Sequence, residues 1–400
     1  MAFRILWWSR VVSFVGDGIG RTALVLYAAS HGAAAVSLVL LVVAVPRFLG
    51  PVAGALADRL DQRRLMAVCE TGQAAVFAVL AIAMPSLPGL VALAAVSGSL
   101  ATAFTPAGRS VVPVLVPEAD LGRANALLGT AFNIQVAVGP TLGGLAVELG
   151  GARVAFAVNA VTFLVSAVIL TRLPALRTAR IPGGLWSETL AGLRFVATTP
   201  GPRALVLALF LVVSFAAMDN VALVFLVSGE LHGSAAEFGL TQAAFGVGML
   251  AASGLLAIGR VPVVAMLVGG LLLTVSGTVA TAFLPTILAV GIAQLFAGAG
   301  NGIENVGSDT LVQRLTPRPM LGRAFGAVAT AAQLGSAVAY AVAAPLIGAL
   351  GPRGTFLVSG VGCALAILVV MPALRTASRA NALGGLPSPD TECRVPSPPA

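Results

Sequence analysis

Leu115-Val116-Pro117-Glu118-Ala119-Asp120-Leu121-Gly122-Arg123-Ala124 returns 200 residues later as Leu315-Thr316-Pro317-Arg318-Pro319-Met320-Leu321-Gly322-Arg323-Ala324. The same offset carries Gly151, Arg153 and Phe156 onto Gly351, Arg353 and Phe356. Pro174-Ala175-Leu176-Arg177 comes back as Pro372-Ala373-Leu374-Arg375 at an offset of 198. One shared tetrapeptide arises by chance in a chain this rich in Ala, Leu and Gly; an ordered series does not. The chain reads as a tandem duplication, so an architecture assigned to one half applies to the other.

What each half builds follows from composition. Of 400 residues, 58% are hydrophobic and 10% charged, with a mean hydropathy of +1.00. Soluble domains carry about 25% charged residues, so a water-soluble globule is excluded. A spanning helix needs about 20 apolar residues. Apolar stretches bounded by turn signals lie near 6–29, 34–56, 65–85, 89–108, 124–147 and 152–172, then near 203–228, 238–259, 262–284, 286–307, 324–349 and 354–373. The expected fold is an all-α integral membrane protein of about 12 transmembrane helices in two six-helix, pseudo-symmetric bundles. The expected divisions are 1–173 for the first bundle, 174–202 for a linker, 203–375 for the second bundle and 376–400 for a tail. Breaks such as Pro85-Ser86-Leu87-Pro88-Gly89 are too short to leave the membrane far, so neighbouring helices run antiparallel. The first stretch is not a cleaved signal, because it carries Asp17 and Arg21 and lacks a small-residue cleavage site.

All 23 basic residues are Arg. Without Lys there is no Walker A loop and no Schiff-base chemistry. Three Cys and two His lie far apart, so no metal or cofactor spacing exists and no disulfide framework is implied. The basic balance, 23 Arg against 15 acids, would suit nucleic acid, but the apolar bulk argues for the lipid bilayer instead.

Arg placement sets the orientation, since cytoplasmic connections retain positive charge. With the N-terminus inside, inner segments hold 19 of the 23 arginines, outer connections hold Arg153 and Arg353, and Arg21 and Arg47 fall within spans. Both termini are then cytoplasmic. In the linker, Leu185 to Val196 repeats apolar residues at helical spacing and reads as an interfacial helix on the inner leaflet. The tail, rich in Pro, Ser, Ala and Gly, cannot build a core and reads as disordered. Trp7, Trp8 and Trp186 read as interface anchors, His31 and His232 as solvated loop residues, and Cys69 and Cys363 as apolar packers.

After the second span comes Gly54-Ala55-Leu56-Ala57-Asp58-Arg59-Leu60-Asp61-Gln62-Arg63-Arg64. This resembles the signature loop of the major facilitator superfamily, with Asp61 and Gln62 in place of a Gly and a basic residue, as in the branch holding siderophore and macrolide exporters. Ser13-x-x-Gly16-Asp17, Pro46-Arg47 and Thr105-Pro106-Ala107-Gly108-Arg109 fit that branch, and the likeness covers about residues 4–375. Gly54 permits close helix approach, and Asp58 suits the positive N-terminus of a helix. The resemblance implies a gate in which Asp58, with Arg59, Arg63, Arg64, Arg109 and Arg123, meets the start of span eleven near Arg323. The plain alternative is an ordinary positive-inside loop. The equivalent place in the second half, Leu256 to Pro262, has no acid, so any such lock is one-sided. Gly139-Pro140-Thr141-Leu142-Gly143-Gly144 resembles the core of the drug/proton antiporter motif, with Gln135 where that motif has a further Gly; simple small-residue packing is the alternative. The Arg which that pattern places inside span four is missing from Val96-Ser97-Gly98-Ser99.

Ionisable residues within spans are costly and usually serve a pathway. Asp17 and Arg21 share one face of span one, Arg47 sits in span two, Asp219 and Asn220 are central in span seven, and Glu304 lies with Asn301 and Asn305 in span ten. A structural ion-pair cluster is an equal reading for Asp17, Arg21 and Arg47. Asp219 has no basic neighbour in its span and reads as a proton carrier. Glu70 and Asp309 lie nearer the cytoplasmic ends and read as reaching water.

The function expected is secondary active export of small, largely apolar compounds (drugs or secondary metabolites, as in multidrug efflux) by proton antiport, in a monomer whose halves rock about a central site. Its partners are the small-molecule substrate, protons and lipid, and the all-Arg, Ala-rich bias suits a bacterial plasma membrane. Proton-coupled or facilitated uptake of a metabolite and a non-transporting receptor or scaffold are the alternatives. An enzyme is excluded, because no nucleophile–base pair can be assembled.

Overall fold

The computed structural model describes residues 2–50, 60–174, 198–256, 261–316 and 321–383, and the regular elements among them are all helical. The first half opens with α1 (Ala2–Ala29), α2 (Ala33–Ala44, continued by a 3-10 segment, Val45–Leu49), α3 (Gln62–Ala83) and α4 (Leu87–Ser110). Leu121–Ala137 and Gly139–Leu170 then follow almost without interruption. At 1.5 Å per residue such a run is about 75 Å long, more than twice the ~30 Å hydrocarbon core. It must double back, and it does so at Gly151, whose φ of 70° and ψ of 176° suit glycine alone. The run therefore comprises α5 (121–150) and α6 (152–170).

The second half repeats the plan. Pro200–Ala216, Asp219–Val224 and a π turn, Phe225–Glu230, make α7 (200–230). Next come α8 (Ala235–Leu256), α9 (Val263–Thr281) and α10 (Ile287–Leu315). Leu321–Leu383 breaks at Gly351, with φ 70° and ψ 175°, into α11 (321–350) and α12 (352–383). Among the described residues, eight helices are long and apolar enough to cross a membrane; two of these hold a pair of passes each, and two shorter apolar helices complete twelve. The twin glycines sit 200 residues apart, at the offset seen in the sequence, and Phe156 and Phe356 behind them are both fully buried.

Several boundaries differ from the sequence expectation, and two of them shift the divisions between bundles, linker and tail. α7 begins at Pro200 rather than 203, and α12 continues to Leu383, past the expected start of the tail at 376. Ala377-Ser378-Arg379-Ala380-Asn381-Ala382-Leu383 contains neither Gly nor Pro, and its Ala, Arg and Leu favour helix. The interfacial stretch 185–196 with Trp186, and the residues after 383, lie outside the described residues.

We call the face where α1 begins and α6 ends proximal, and the opposite face distal. One apolar core fills the distal side and spans both halves, joining Ala23, Val25, Ala28, Val36 and Phe156 to Val221, Val224, Phe238, Ala343 and Phe356. Toward the proximal face this core gives way to separate ones. Leu6, Met66, Phe104 and Leu170 pack within the first half, and Leu205, Val263, Val312 and Ala324 within the second. Among the described residues, the apolar core shared by both halves is thus distal, and the proximal cores each belong to a single half. Each half also caps the distal end of its third helix. Tyr27 Oη donates to the carbonyls of Met84 and Pro85, both at 3.0 Å. Arg353 Nη1 donates to those of Ala282 and Leu284, at 2.9 and 3.0 Å, while its Nε pairs with Glu230 at 2.7 Å.

Candidate functional site

Arg10, Phe14, Asp17 and Arg21 recur at helical spacing, so they share one face of α1. Asp17 lies in the fields of Arg10, Arg47 and Arg21. Arg47, from the 3-10 segment after α2, faces Arg21 and Asp17 and also Tyr340 of α11. The Tyr340 neighbour places the cluster at the boundary between halves. Arg21 and Arg47 are exposed there. The structure therefore brings Asp17, Arg21 and Arg47 together and adds a second layer. Arg10, half-buried inside the bundle rather than on a cytoplasmic loop, stacks on Phe14 and Phe104 with its guanidinium carbon 3.9 and 4.3 Å from the ring centres. Glu70 lies 3.8 Å from it. The expectation that Glu70 reaches water is wrong: it is 2% exposed, and its Oε1 accepts from Ser13 Oγ at 3.1 Å. Burial without any partner would be costly; Arg10 and Ser13 both address Oε1, while Oε2 is buried without a hydrogen-bond partner among the described residues. Asp309 is exposed.

The acids of the second half have a different environment. α7 breaks at Ala217–Met218, and Asp219 begins the next helical segment. Its Oδ2 accepts from Thr278 Oγ1 of α9 at 3.4 Å, and its Oδ1 is sealed from solvent with the Ser359 hydroxyl of α12 beside the carboxylate. One turn away on α9, Thr274 Oγ1 donates to Glu304 Oε1 of α10 at 2.8 Å. Thr274 and Thr278 thus present a hydroxyl to each of the two acids, and neither acid has an ion-pair partner among the described residues. Cys363 of α12 lies in the fields of both. Asn301 and Asn305, on the α10 surface, bond to each other at 3.1 Å, and Asn220 donates to Ala217 O at 3.2 Å. Nothing in the sequence marked Thr274 or Thr278, because threonine is unremarkable in a spanning helix.

The Gly139-Pro140-x-x-Gly143-Gly144 run lies on α5 between two helices. Gly139 and Gly143 pack on α1: a Cβ on Gly139 would lie 2.6 Å from Gly18 Cα, and one on Gly143 3.1 Å from Ile19 Cα. Gly144 instead meets α8 of the other half, where a Cβ would fall 3.1 Å from Ala236 Cα and Gly239 Cα. Gly239 in turn lies against the Pro140 carbonyl, and Gly246 against that of Val136. The seam between halves is backbone on backbone. Polar contacts cross it at Thr22 Oγ1 to Gln242 Oε1, 3.3 Å, and at Ala236 N to Glu148 Oε2, 3.3 Å. Glu148 so places a carboxylate at the N-terminus of α8, where the helix dipole favours it. It was missed from sequence because its partner is a backbone group in the other half.

Of the loop motif, Gly54, Asp58 and Arg59 lie outside the described residues, and Arg323 is placed by its backbone alone, near the start of α11. Arg63 Nη1 donates to Leu173 O at 2.8 Å, tying α3 to the end of α6. Asp61 caps α3, accepting from Arg64 N at 3.2 Å, so its departure from the motif glycine has a local structural use. Arg109 and Arg123 are exposed at the proximal face. Trp7 serves as more than an anchor: its indole N–H donates to Leu127 O of α5 at 2.8 Å.

Residues 1–382 match the transmembrane secretion effector family. An uncharacterised transporter of the major facilitator type, YfiS of Bacillus subtilis (strain 168), is 29% identical over 375 residues, 88% of each chain. The enterobactin exporter EntS of Citrobacter koseri is 27% identical over 388 residues, covering 92% of this chain and 91% of the exporter. Among solved structures, a bacterial homologue of the iron transporter ferroportin in an inward-facing state superposes with a TM-score of 0.72 at 17% identity, over 93% of this chain and 98% of its own. The nucleoside transporter NupG superposes at 0.75 with 12% identity, over 94% and 99%. The duplicated helical plan and the family match over nearly the whole chain agree: this is a multi-pass membrane transporter that belongs to the transmembrane secretion effector family of the major facilitator superfamily.

Proposed function

We propose that this chain exports a small organic compound in exchange for protons, with Asp219 and Glu304 carrying them. The observation that supports this most is the pairing of these two half-buried carboxylates with hydroxyl groups rather than arginines. Hydroxyls hydrogen-bond a carboxyl group in either protonation state, so they permit a proton to come and go. An arginine partner would hold the carboxylate charged. The first half, by contrast, holds its acids against arginine, in keeping with a fixed electrostatic role. Export rather than uptake is favoured by the likeness to the enterobactin exporter, which matches over most of its length.

The excess of arginine at the proximal ends supports a cytoplasmic placement of that face. On that reading the shared core lies toward the outside, and cargo is loaded from the cytoplasmic side. The likeness to the superfamily's signature loop gives Asp58 a part in closing this side. Everted vesicles energised with an acid interior test the coupling: uptake of a transported dye should collapse when the gradient is dissipated. Asp219→Asn should abolish the gradient-driven component in correctly folded protein. Full gradient-driven transport by Asp219→Asn removes that residue from the proton path.

A further inference from the structure

The proposed export role leaves open what the cargo looks like, and the two sides of the cleft differ in a way that bears on it. Resting on that role, we infer that the cargo carries an anionic group, held by Arg21 and Arg47 at the boundary between the halves. Arg21 and Arg47 are both exposed residues of neighbouring spans, and Arg47 lies in the field of Tyr340 from the opposite half. A guanidinium facing lipid at this depth is heavily disfavoured, so an exposed arginine here belongs to the polar cleft. Near them stands one carboxylate, Asp17, which lies in the fields of three arginines, Arg10, Arg47 and Arg21. Arg10 has its own acid in Glu70 and its own aromatic stacking partners. One carboxylate therefore faces the two exposed guanidinium groups, and the cluster at rest carries an uncompensated positive charge.

The fork of an arginine matches carboxylate, phosphate or catecholate oxygens in two parallel bonds. Two such forks come from different helices at this boundary, with Tyr340 of the opposite half near Arg47, and together they suit such a group. Asp219 and Glu304 stand on the second half, away from this cluster. A cargo anion bound to the first half therefore leaves them free to take up protons. An amine or other cationic cargo would meet the opposite charge at the arginines.

The test uses purified full-length protein in detergent and two dyes on one xanthene ring system, anionic carboxyfluorescein and cationic rhodamine 6G. Carboxyfluorescein should stabilise the protein against thermal unfolding in a dose-dependent way, and rhodamine 6G should not. Arg21→Gln and Arg47→Gln should each weaken carboxyfluorescein binding at least about tenfold, the scale of losing a charge-assisted bond. Arg21→Lys and Arg47→Lys, which keep the charge and lose the fork, should recover part of it. Preference for rhodamine 6G, equal response to both dyes, no response to carboxyfluorescein, or binding unaltered in both Gln variants overturns the inference. None of these outcomes bears on the vesicle measurement, which decides export and coupling separately.

Discussion

Gly144→Ala adds one methyl group, and the structure places it between the two halves. The new Cβ would lie 3.1 Å from both Ala236 Cα and Gly239 Cα, and nearer still to the Ala235 carbonyl oxygen. Carbon atoms rest about 3.5–4.0 Å apart, and backbone cannot swing aside as a side chain does. α5 and α8 must therefore separate by roughly 0.5–1 Å, and overpacking of this kind costs about 1–3 kcal/mol. That penalty falls on the distally closed conformer alone, because parting the distal side removes the clash. A bias of about 1–3 kcal/mol displaces a two-state equilibrium by roughly 5–150-fold. Spin labels at Leu149 and Leu288 report the distal separation across halves; both sites are exposed, at 86% and 76%, and sacrifice no core contact. With Cys69, Cys363 and Cys393 replaced, double electron–electron resonance should show a longer distance component growing in Gly144→Ala. Gly129→Ala and Gly326→Ala, which add a methyl group to open space, should leave the distribution unchanged. If Gly144→Ala folds normally and its distances match those of the parent, the seam does not hold the distal side shut.

Phe156→Ala and Phe356→Ala each empty a fully buried site and should cost about 3–5 kcal/mol, read as a lower melting temperature in detergent, with similar losses because the sites are duplicates. Gly151→Ala meets no neighbouring atom, yet it should destabilise by about 1–3 kcal/mol from backbone strain alone; thermal unfolding indistinguishable from the parent would contradict the tight reversal. Glu148→Gln keeps a hydrogen-bond acceptor for Ala236 N but loses the charge at the α8 N-terminus. It should favour distal opening by about 0.3–1 kcal/mol, and this shift should shrink in high salt when measured with the same spin labels.

The duplication, the number of passes and the mid-span acids were legible because apolar length and rare charges survive in any alignment of the chain with itself. Asp17, Arg21 and Arg47 could be grouped from helical spacing and depth. What stayed hidden depends on partners supplied by distant segments. Glu70 looked solvated because its position near a helix end says nothing of Arg10 and Ser13 arriving from α1. Thr274 and Thr278 acquire meaning only when α9 is laid beside α7 and α10. Gly144 resembles Gly143 in sequence but faces the opposite half, a difference set by one helical step of about 100°.

The caps on α3 and α9 bear on how the two copies diverged. In the first half a neutral phenol from the first helix serves the paired carbonyls; in the second an ionised guanidinium from the last helix does so, and recruits Glu230 as well. Ancestry is thus recorded at this spot by the unsatisfied acceptors and not by the group that answers them. Matching residue to residue between copies would overlook the kinship here, and the charged version has gained a dependence on ionic strength that its sibling lacks.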